Sequence, residues 1–476
     1  MRDKLDARTK WSYCIGATGR DAAYALVSMY LILYVQYTMN LTSAQFAMIS
    51  GAMILCMVWD AINDLLMGII IENTHFKMGK FKPWILAGSL TNAIVIVCLF
   101  TIRPSGWGFV AFYSLFYLLW GMTYTMNDIA YWGVLPSLSS DPGTRDSLVT
   151  IMSIFVCIGQ FSVAGVVPVV IAGNAVKAYR IVAVVVALCL IAFQMLTAFG
   201  IKENDREEQK DKLSLKDMYL IFMRNDQLVA AGIASIFFNV TCNILIIFGV
   251  NFFYIEYGYS ESGNLVFYFT VMYGLGMLIS QASYATLAKH FMRQKMLNVC
   301  FAALLIGYAC FMGFGYVLPK NVVLLNAIGF VIFFFQGLMN LVIIVMINNT
   351  IEYDEARFHE RHDSVISAVR SFSVKLAGGI NQGLSTLVLI VSGIYAKSRS
   401  ISALEIEVNR GEISSEAALA EANRYIGEIT TAQGILFRVG MVLIPLIALA
   451  ISYMIIRKKY HIDEAEYAKL VEKTRT

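Results

Sequence analysis

Long apolar runs, broken at short intervals by polar segments, dominate this chain. A helix needs about 20 consecutive apolar residues to cross a bilayer, and runs of that order occur at 12–37, 43–72, 82–103, 106–136, 147–173, 179–200, 227–256, 264–288, 296–318, 321–350, 364–395 and 431–456. One stretch between them, 202–226, is conspicuously charged and divides the runs six and six. The pattern predicts an all-α membrane protein with twelve transmembrane helices in two six-helix bundles: 1–201, a linker 202–226, and 227–476 with a helical insert near 396–430. That insert is rich in Glu and Ala with periodic Ile, Leu and Val, which predicts an amphipathic helix serving as a cap and not as a site.

Composition sharpens the picture. Hydrophobic residues make up 58% and charged residues only 15%, with a mean hydropathy of +0.65, which places the chain outside the soluble class. The first run holds Arg20 and Asp21 and has no small-residue cleavage site, so it reads as a retained span and not as a removable signal, and the mature chain is expected to begin near Met1. Basic residues concentrate in alternate loops: Arg2, Lys4, Arg8 and Lys10; Lys77, Lys80 and Lys82; Lys202, Arg206, Lys210, Lys212, Lys216 and Arg224; Lys289, Arg293 and Lys295; Arg457, Lys458 and Lys459. By the positive-inside rule both termini and the central linker are expected in the cytoplasm, with the chain in the plasma (inner) membrane and the 396–430 insert outside. The net charge of +4 is therefore no nucleic-acid signal. Eight cysteines at 14, 56, 98, 157, 189, 242, 300 and 310 are scattered singly and read as small core hydrophobes.

The candidate chemistry lies in polar residues inside the runs. Trp59-Asp60-Ala61-Ile62-Asn63-Asp64 puts two carboxylates and an amide in the second run. Residues four apart stand about 40° from each other around a helix, so Asp60 and Asp64 share a face with Asn63 beside them. Carboxylates in hydrocarbon are costly, and the pair reads as a cation or proton site; the alternative is a pair packed against a basic partner or near a helix end.

In the first run Arg20 and Asp21 are adjacent, about two turns in. In the fourth, Tyr124, Asp128 and Trp132 recur every four residues and place a phenol, a carboxylate and an indole on one face. An aromatic ring to pack on a C–H face, with a carboxylate to accept hydroxyl hydrogen bonds, suits a sugar. The plainer reading of the aromatics is an interfacial belt, which leaves Asp128 unexplained. Thr125 could equally bond its own helix. In the eleventh run Lys375 is deep enough to require carboxylate partners, while Arg370 can snorkel.

Trp59-Asp60-Ala61-Ile62-Asn63-Asp64, Gly79-Lys80-Phe81-Lys82-Pro83-Trp84, Trp120-Gly121-Met122-Thr123-Tyr124-Thr125, the later Asn349-Thr350-Ile351-Glu352-Tyr353-Asp354-Glu355 and Val374-Lys375 resemble the glycoside–pentoside–hexuronide:cation symporter family of the major facilitator superfamily. The resemblance covers essentially the whole chain and is stronger in the first half. It implies a cation site of Asp60, Asn63, Asp64 and Thr125, which would also be the ligand set for a metal cation, with Lys375 nearby as a coupling residue. It implies a sugar site of Arg20, Asp21, Tyr124, Asp128 and Trp132, with Arg370 lining the cavity. Glu352, Glu355, Arg361 and Asp363 then match cytoplasmic gate charges, whereas Asn349 replaces an acid. The chain also departs from the pattern: Ser153 replaces a sugar-contacting arginine and Asn340 an aromatic, so galactoside specificity does not carry over.

The expected function is symport of a glycoside, pentoside or hexuronide with Na⁺, Li⁺ or H⁺ by alternating access. The expected partners are a small sugar, a monovalent cation and membrane lipid, the chain is expected to be monomeric, and no resident cofactor is implied. A neutral glycoside or pentoside is the favoured substrate, with a hexuronide the alternative if Arg20 or Arg370 met its carboxylate bidentately. Alternatives are a sodium-coupled lysolipid carrier of the same fold, which would want an apolar cavity, and a non-transporting sugar sensor, which would want a signalling domain. An enzyme is excluded in the reading: there is no nucleophile with a base, no metal-ligand spacing and no phosphate-cradling glycine loop.

Overall fold

A computed structural model describes residues 5–74, 76–139, 142–202, 215–358 and 363–475. Residues 203–214 of the linker expected at 202–226, and Arg361 among the expected gate charges, lie outside the described residues. Among the described residues the chain is helical, with two isolated β-bridges and no strand. Helices α1 (Ala7–Ala25) and α2 (Leu31–Thr38) flank a π-helical stretch, Leu26–Tyr30, and are followed by α3 (Ser43–Glu72), α4 (Lys82–Thr101), α5 (Gly106–Gly133), the short α6 (Leu135–Leu138), α7 (Pro142–Val170) and α8 (Ala175–Gly200). Then come α9 (Leu215–Arg224), α10 (Asp226–Tyr257), α11 (Ser262–His290), α12 (Arg293–Gly313), α13 (Val322–Asn348), α14 (Thr350–Phe358), α15 (Asp363–Val391), α16 (Ile394–Arg410), α17 (Ser415–Gly427), α18 (Thr431–Lys459) and α19 (Glu464–Arg475).

Among the described residues eleven helices are long and apolar enough to cross a membrane. The first run supplies a twelfth stretch in two pieces, because the π-helical turn interrupts what was expected to be continuous helix over 12–37. Apolar side chains on all sides are what lipid requires, and Leu55, Ile94, Leu188 and Ile306 are each more than 60% exposed. Helix starts are set locally. The Thr42 hydroxyl accepts from Gln45 N at 3.3 Å while the Gln45 side chain accepts from Thr42 N at 2.9 Å, a reciprocal cap that opens α3. Pro83, in the first turn of α4, gives up an N–H that a helix start leaves unbonded anyway.

The chain divides into two compact units. The first comprises Met1–Glu208 with Phe253–Phe267 and Leu389–Gln433; the second comprises Gln209–Phe252, Tyr268–Val388 and Gly434–Thr476. In the first unit α1 packs on α7 and α8, and α5 on α3 and α4. The α1–α7 contact is backbone-close: a Cβ on Gly159 would lie 2.3 Å from the Thr18 carbonyl oxygen. Polar side chains join the helices elsewhere. Asn127 Nδ2 donates to Ile85 O at 2.9 Å and to Gln194 Oε1 at 3.1 Å, and Gln194 Nε2 donates to Gly16 O at 2.8 Å, so α5, α4, α8 and α1 share one buried network. In the second unit the Thr241 carbonyl of α10 accepts from Tyr308 Oη at 3.1 Å and from Gln336 Nε2 at 3.2 Å, which ties α10 to α12 and α13. At one end of that unit Arg224 pairs with the fully buried Asp354 at 3.3 Å and Arg357 with Asp226 at 3.0 Å.

The insert expected as one amphipathic helix over 396–430 is two, α16 and α17, because Gly411 takes φ +76° and ends α16 in the left-handed conformation. It was expected as an appendage of the C-terminal bundle, yet it groups with the first unit, through polar contacts that no hydrophobic pattern reveals.

Pro168 sits inside α7, and a proline cannot donate to the carbonyl four residues earlier. That carbonyl, Ala164 O, instead accepts from the Tyr30 hydroxyl at 2.6 Å, from the last residue of the π-helical turn. Tyr30→Phe is therefore expected to lower stability in detergent by about 1–3 kcal/mol. Pro168→Ala should remove most of that cost by restoring the helical donor. Unfolding of the four chains of this double-mutant cycle measures the coupling, and strict additivity would contradict it.

Candidate functional site

Helix α5 carries the site. Its residues form two rows of spacing four, Gly121 and Thr125 turned toward α3 and Tyr124, Asp128 and Trp132 turned toward α1. The two sides hold different chemistry.

Toward α3, the Thr125 hydroxyl lies 3.1 Å from Asp60 Oδ1 and 3.0 Å from Asp64 Oδ1. Three oxygens from two helices thus converge on one point, and the two carboxylates stand on the same face of α3 as their spacing requires. Thr125 is 2% exposed and Asn63 5%, whereas both aspartates are half-buried. A threonine offers one proton, so it satisfies one carboxylate as donor while its lone pairs remain available to a hard cation. Gly121, one turn earlier, makes the approach possible: a Cβ there would come 3.1 Å from Asp60 Oδ1.

Toward α1, Arg20 is the hub. Its Nη2 lies 2.8 Å and its Nε 3.1 Å from Asp21 Oδ2, and its Nη1 lies 3.1 Å from Asp128 Oδ1. The guanidinium is 4.5 Å from the centroid of the Tyr131 ring and 5.7 Å from that of Trp132. Gln160 of α7 completes the set by donating to Asp21 Oδ1 at 3.1 Å. Burial is graded: Arg20 is 3% and Asp21 5% exposed, the Asp128 side chain 33% and Trp132 41%. The accessible edge of the cluster is thus a carboxylate and an indole. Tyr124 stands between the two sides, its ring 5.2 Å from Tyr24 and 5.7 Å from Trp120.

Of the residues singled out from the sequence, Asp60, Asp64 and Thr125 therefore gather in one group of the first unit and Arg20, Asp21, Asp128 and Trp132 in another, while Asn63 is buried on α3 with its Nδ2 unbonded among the described residues and Tyr124 stacks with Tyr24 and Trp120. Lys375 and Arg370 stand on α15 in the second unit. Lys375 is half-buried, and Arg370 is exposed one residue inside the apolar segment 369–391. Ser153 is exposed and bonds the Val149 carbonyl of its own helix at 2.8 Å. Four contributors were missed: Gln160, Tyr131, Gly121 and Tyr24. For Gln160 a signal existed, a lone amide within the apolar run 147–173. The others became visible only through their neighbours.

Arg20 neutralises charge that would otherwise be stranded, so Arg20→Gln is expected to cost about 3–5 kcal/mol, the scale for breaking a buried ion pair from one side. Adding Asp21→Asn should recover part of it. Thermal unfolding of the purified chains tests this, and a double variant no more stable than Arg20→Gln alone would show the pair to be uncoupled.

Comparison with known proteins places this geometry. A family description for MFS/sugar transport proteins matches residues 12–410. The chain is 25% identical to a lactose permease of Lactobacillus delbrueckii subsp. bulgaricus, over all of this chain and 73% of the permease. It is 24% identical to a raffinose carrier protein of Pediococcus pentosaceus, over 96% of this chain and 70% of the carrier. Among solved structures a D-xylose–proton symporter superposes with a TM-score of 0.60 at 12% identity, covering 90% of this chain and 98% of that one, which is a likeness of fold. With its major facilitator fold and a match over most of its length, the chain belongs to the MFS/sugar transport protein family, and it is a multi-pass membrane transporter and not an enzyme.

Proposed function

We propose that the protein is a cation-coupled symporter of a neutral glycoside, working by alternating access with both termini in the cytoplasm. The observation that carries the reading is that one helix serves both groups: Thr125 of α5 bridges Asp60 and Asp64, while Tyr124 and Asp128 beside it face the Arg20 cluster. A cation or proton entering between the two carboxylates relieves their repulsion and fixes Thr125. Fixing Thr125 fixes the register of Tyr124 and Asp128 on the same helix. An ion that raises sugar affinity in this way must gain affinity from the sugar by the same factor. The ligands are oxygens alone, which suits Na⁺, Li⁺ or H⁺.

The charge count supports a neutral substrate. Arg20 is already shared between Asp21 and Asp128, so with both carboxylates ionised the cluster carries one net negative charge, which disfavours a uronate. Asp128, the partly exposed member, remains as acceptor for sugar hydroxyls, with Trp132 as the ring to pack against. The names of the lactose and raffinose carriers point the same way. A lysolipid carrier fits less well with so charged a cluster.

Two outcomes follow. Thr125→Val removes a hydroxyl that two charged groups share and is expected to weaken ion activation of sugar counterflow by about tenfold to a hundredfold, and Asp64→Asn should abolish concentrative uptake while some sugar exchange survives; unchanged Na⁺ and pH dependence in both variants would place the ion elsewhere. In side-by-side competition a glucoside should outcompete its glucuronide, with Asp128→Asn costing at least about tenfold in sugar affinity. Equal competition by the uronide would remove the neutral-substrate reading. For orientation, Ser414→Cys should react with a membrane-impermeant maleimide in intact cells.

A further inference from the structure

The insert α16–α17 is fastened to three corners of the first unit by bonds that the transport reading does not use. At the corner between α2 and α3, Asn40 N donates to Ser402 Oγ at 2.9 Å, Arg399 Nε donates to Asn40 Oδ1 at 2.9 Å, and the Tyr395 hydroxyl donates to Leu41 O at 3.0 Å. At the start of α8, Ala175 N donates to Glu405 Oε2 at 2.6 Å. At the turn between α10 and α11, the Tyr259 hydroxyl donates to Glu405 Oε1 at 2.8 Å, and Asn423 of α17 accepts from Tyr259 N at 2.7 Å and donates to Ser260 Oγ at 2.8 Å. One face of α16, carrying Tyr395, Ser398, Ser402, Glu405 and Val408, is buried against these corners.

Glu405 is the unusual member. It is 2% exposed, and it joins two corners that are remote in the chain through one carboxylate. The groups facing it are phenols: Tyr259 and Tyr254 from the end of α10 and the following turn, and Tyr179 from α8. Among the described residues no basic side chain forms an ion pair with it. The start of α8 favours the anion, since the free N–H groups of a helix N-terminus attract negative charge.

We propose that α16 is a latch across these corners, with the Glu405 carboxyl as its catch, that the latch releases and recloses in each transport cycle, and that acidity at this face holds it shut. The sign follows from linkage. Burial holds the Glu405 carboxyl above the usual carboxylate range while the latch is closed, whereas a released, solvated Glu405 returns to the ordinary value of about 4.3. The closed form therefore binds the proton more readily, and falling pH favours it between those two values. The neutral carboxyl keeps its carbonyl oxygen to accept from Ala175 N while its hydroxyl oxygen still faces the Tyr259 hydroxyl.

The proposal rests on the chain cycling as a transporter, but its first readout needs no substrate. Hydrogen–deuterium exchange of the full-length protein in lipid nanodiscs is followed in segments 171–177 and 255–262 across a pH range, corrected for intrinsic exchange rates. Protection is expected to rise as the pH falls. Glu405→Gln should be protected at every pH with no slope, and Tyr259→Phe, which keeps the fold, should lose protection at every pH. A Glu405→Gln chain that retains the wild-type slope would overturn the catch. Release is tested by a Ser260→Cys/Asn423→Cys tether in proteoliposomes: oxidation should cut uptake of the accepted solute by about tenfold or more, reductant should restore it to the level before oxidation, and the single-cysteine chains should show no change on oxidation. Full uptake by the oxidised tether would show that the insert does not move, and would leave the ion and sugar assignments standing.

Discussion

The Arg20 guanidinium, shared by Asp21 and Asp128 and laid over the Tyr131 ring, is the contact around which the interior of the first unit is arranged. A charge at membrane depth persists only where counter-charges and hydrogen bonds meet it. Here the counter-charges come from α1 and α5 and the supporting amide, Gln160, from α7. Three helices are thereby held in one register by electrostatics that lipid would make costly to break. The same demand explains the neutral glue around it: the Asn127–Gln194–Gly16 network joins α5, α8 and α1, and Tyr30 covers the carbonyl that Pro168 leaves open.

Because α5 takes part in both polar groups, their geometries are not independent. Gly121 and Thr125 face the Asp60–Asp64 pair while Asp128 and Trp132 face Arg20, and a rotation of α5 moves all four at once. In the proposed symport that is the physical route by which an ion and a sugar would sense each other without touching. It uses one rigid element biased from two sides, which is what a coupling free energy between sites requires.

The insert shows the other way a membrane protein spends polar contacts. Where α3 and α5 converge to bring two carboxylates together, α16 and α17 distribute single bonds over three corners formed by five helices. Each is modest, on the scale of about 1 kcal/mol, yet Glu405 concentrates two of them on one titratable group.

The sequence by itself determined the helices, because hydrocarbon dictates their length and apolar character, and it exposed the Asp60–Asp64 and Tyr124–Asp128–Trp132 faces, because helical spacing alone puts residues four apart on one side. It also marked Arg20 and Asp21 as costly residues within an apolar run. Only the tertiary structure decided what satisfies them. That Arg20 is shared by two carboxylates, that Thr125 turns to both aspartates and not to its own helix, and that Gln160, Tyr131 and Gly121 complete the groups are matters of which helices touch. The insert was legible as amphipathic but not as a strap, since its partners lie up to 362 residues away in the chain. Periodicity reports which face of a helix is buried; it does not report what buries it, because that depends on contacts between segments whose separation in sequence carries no trace of their distance in space.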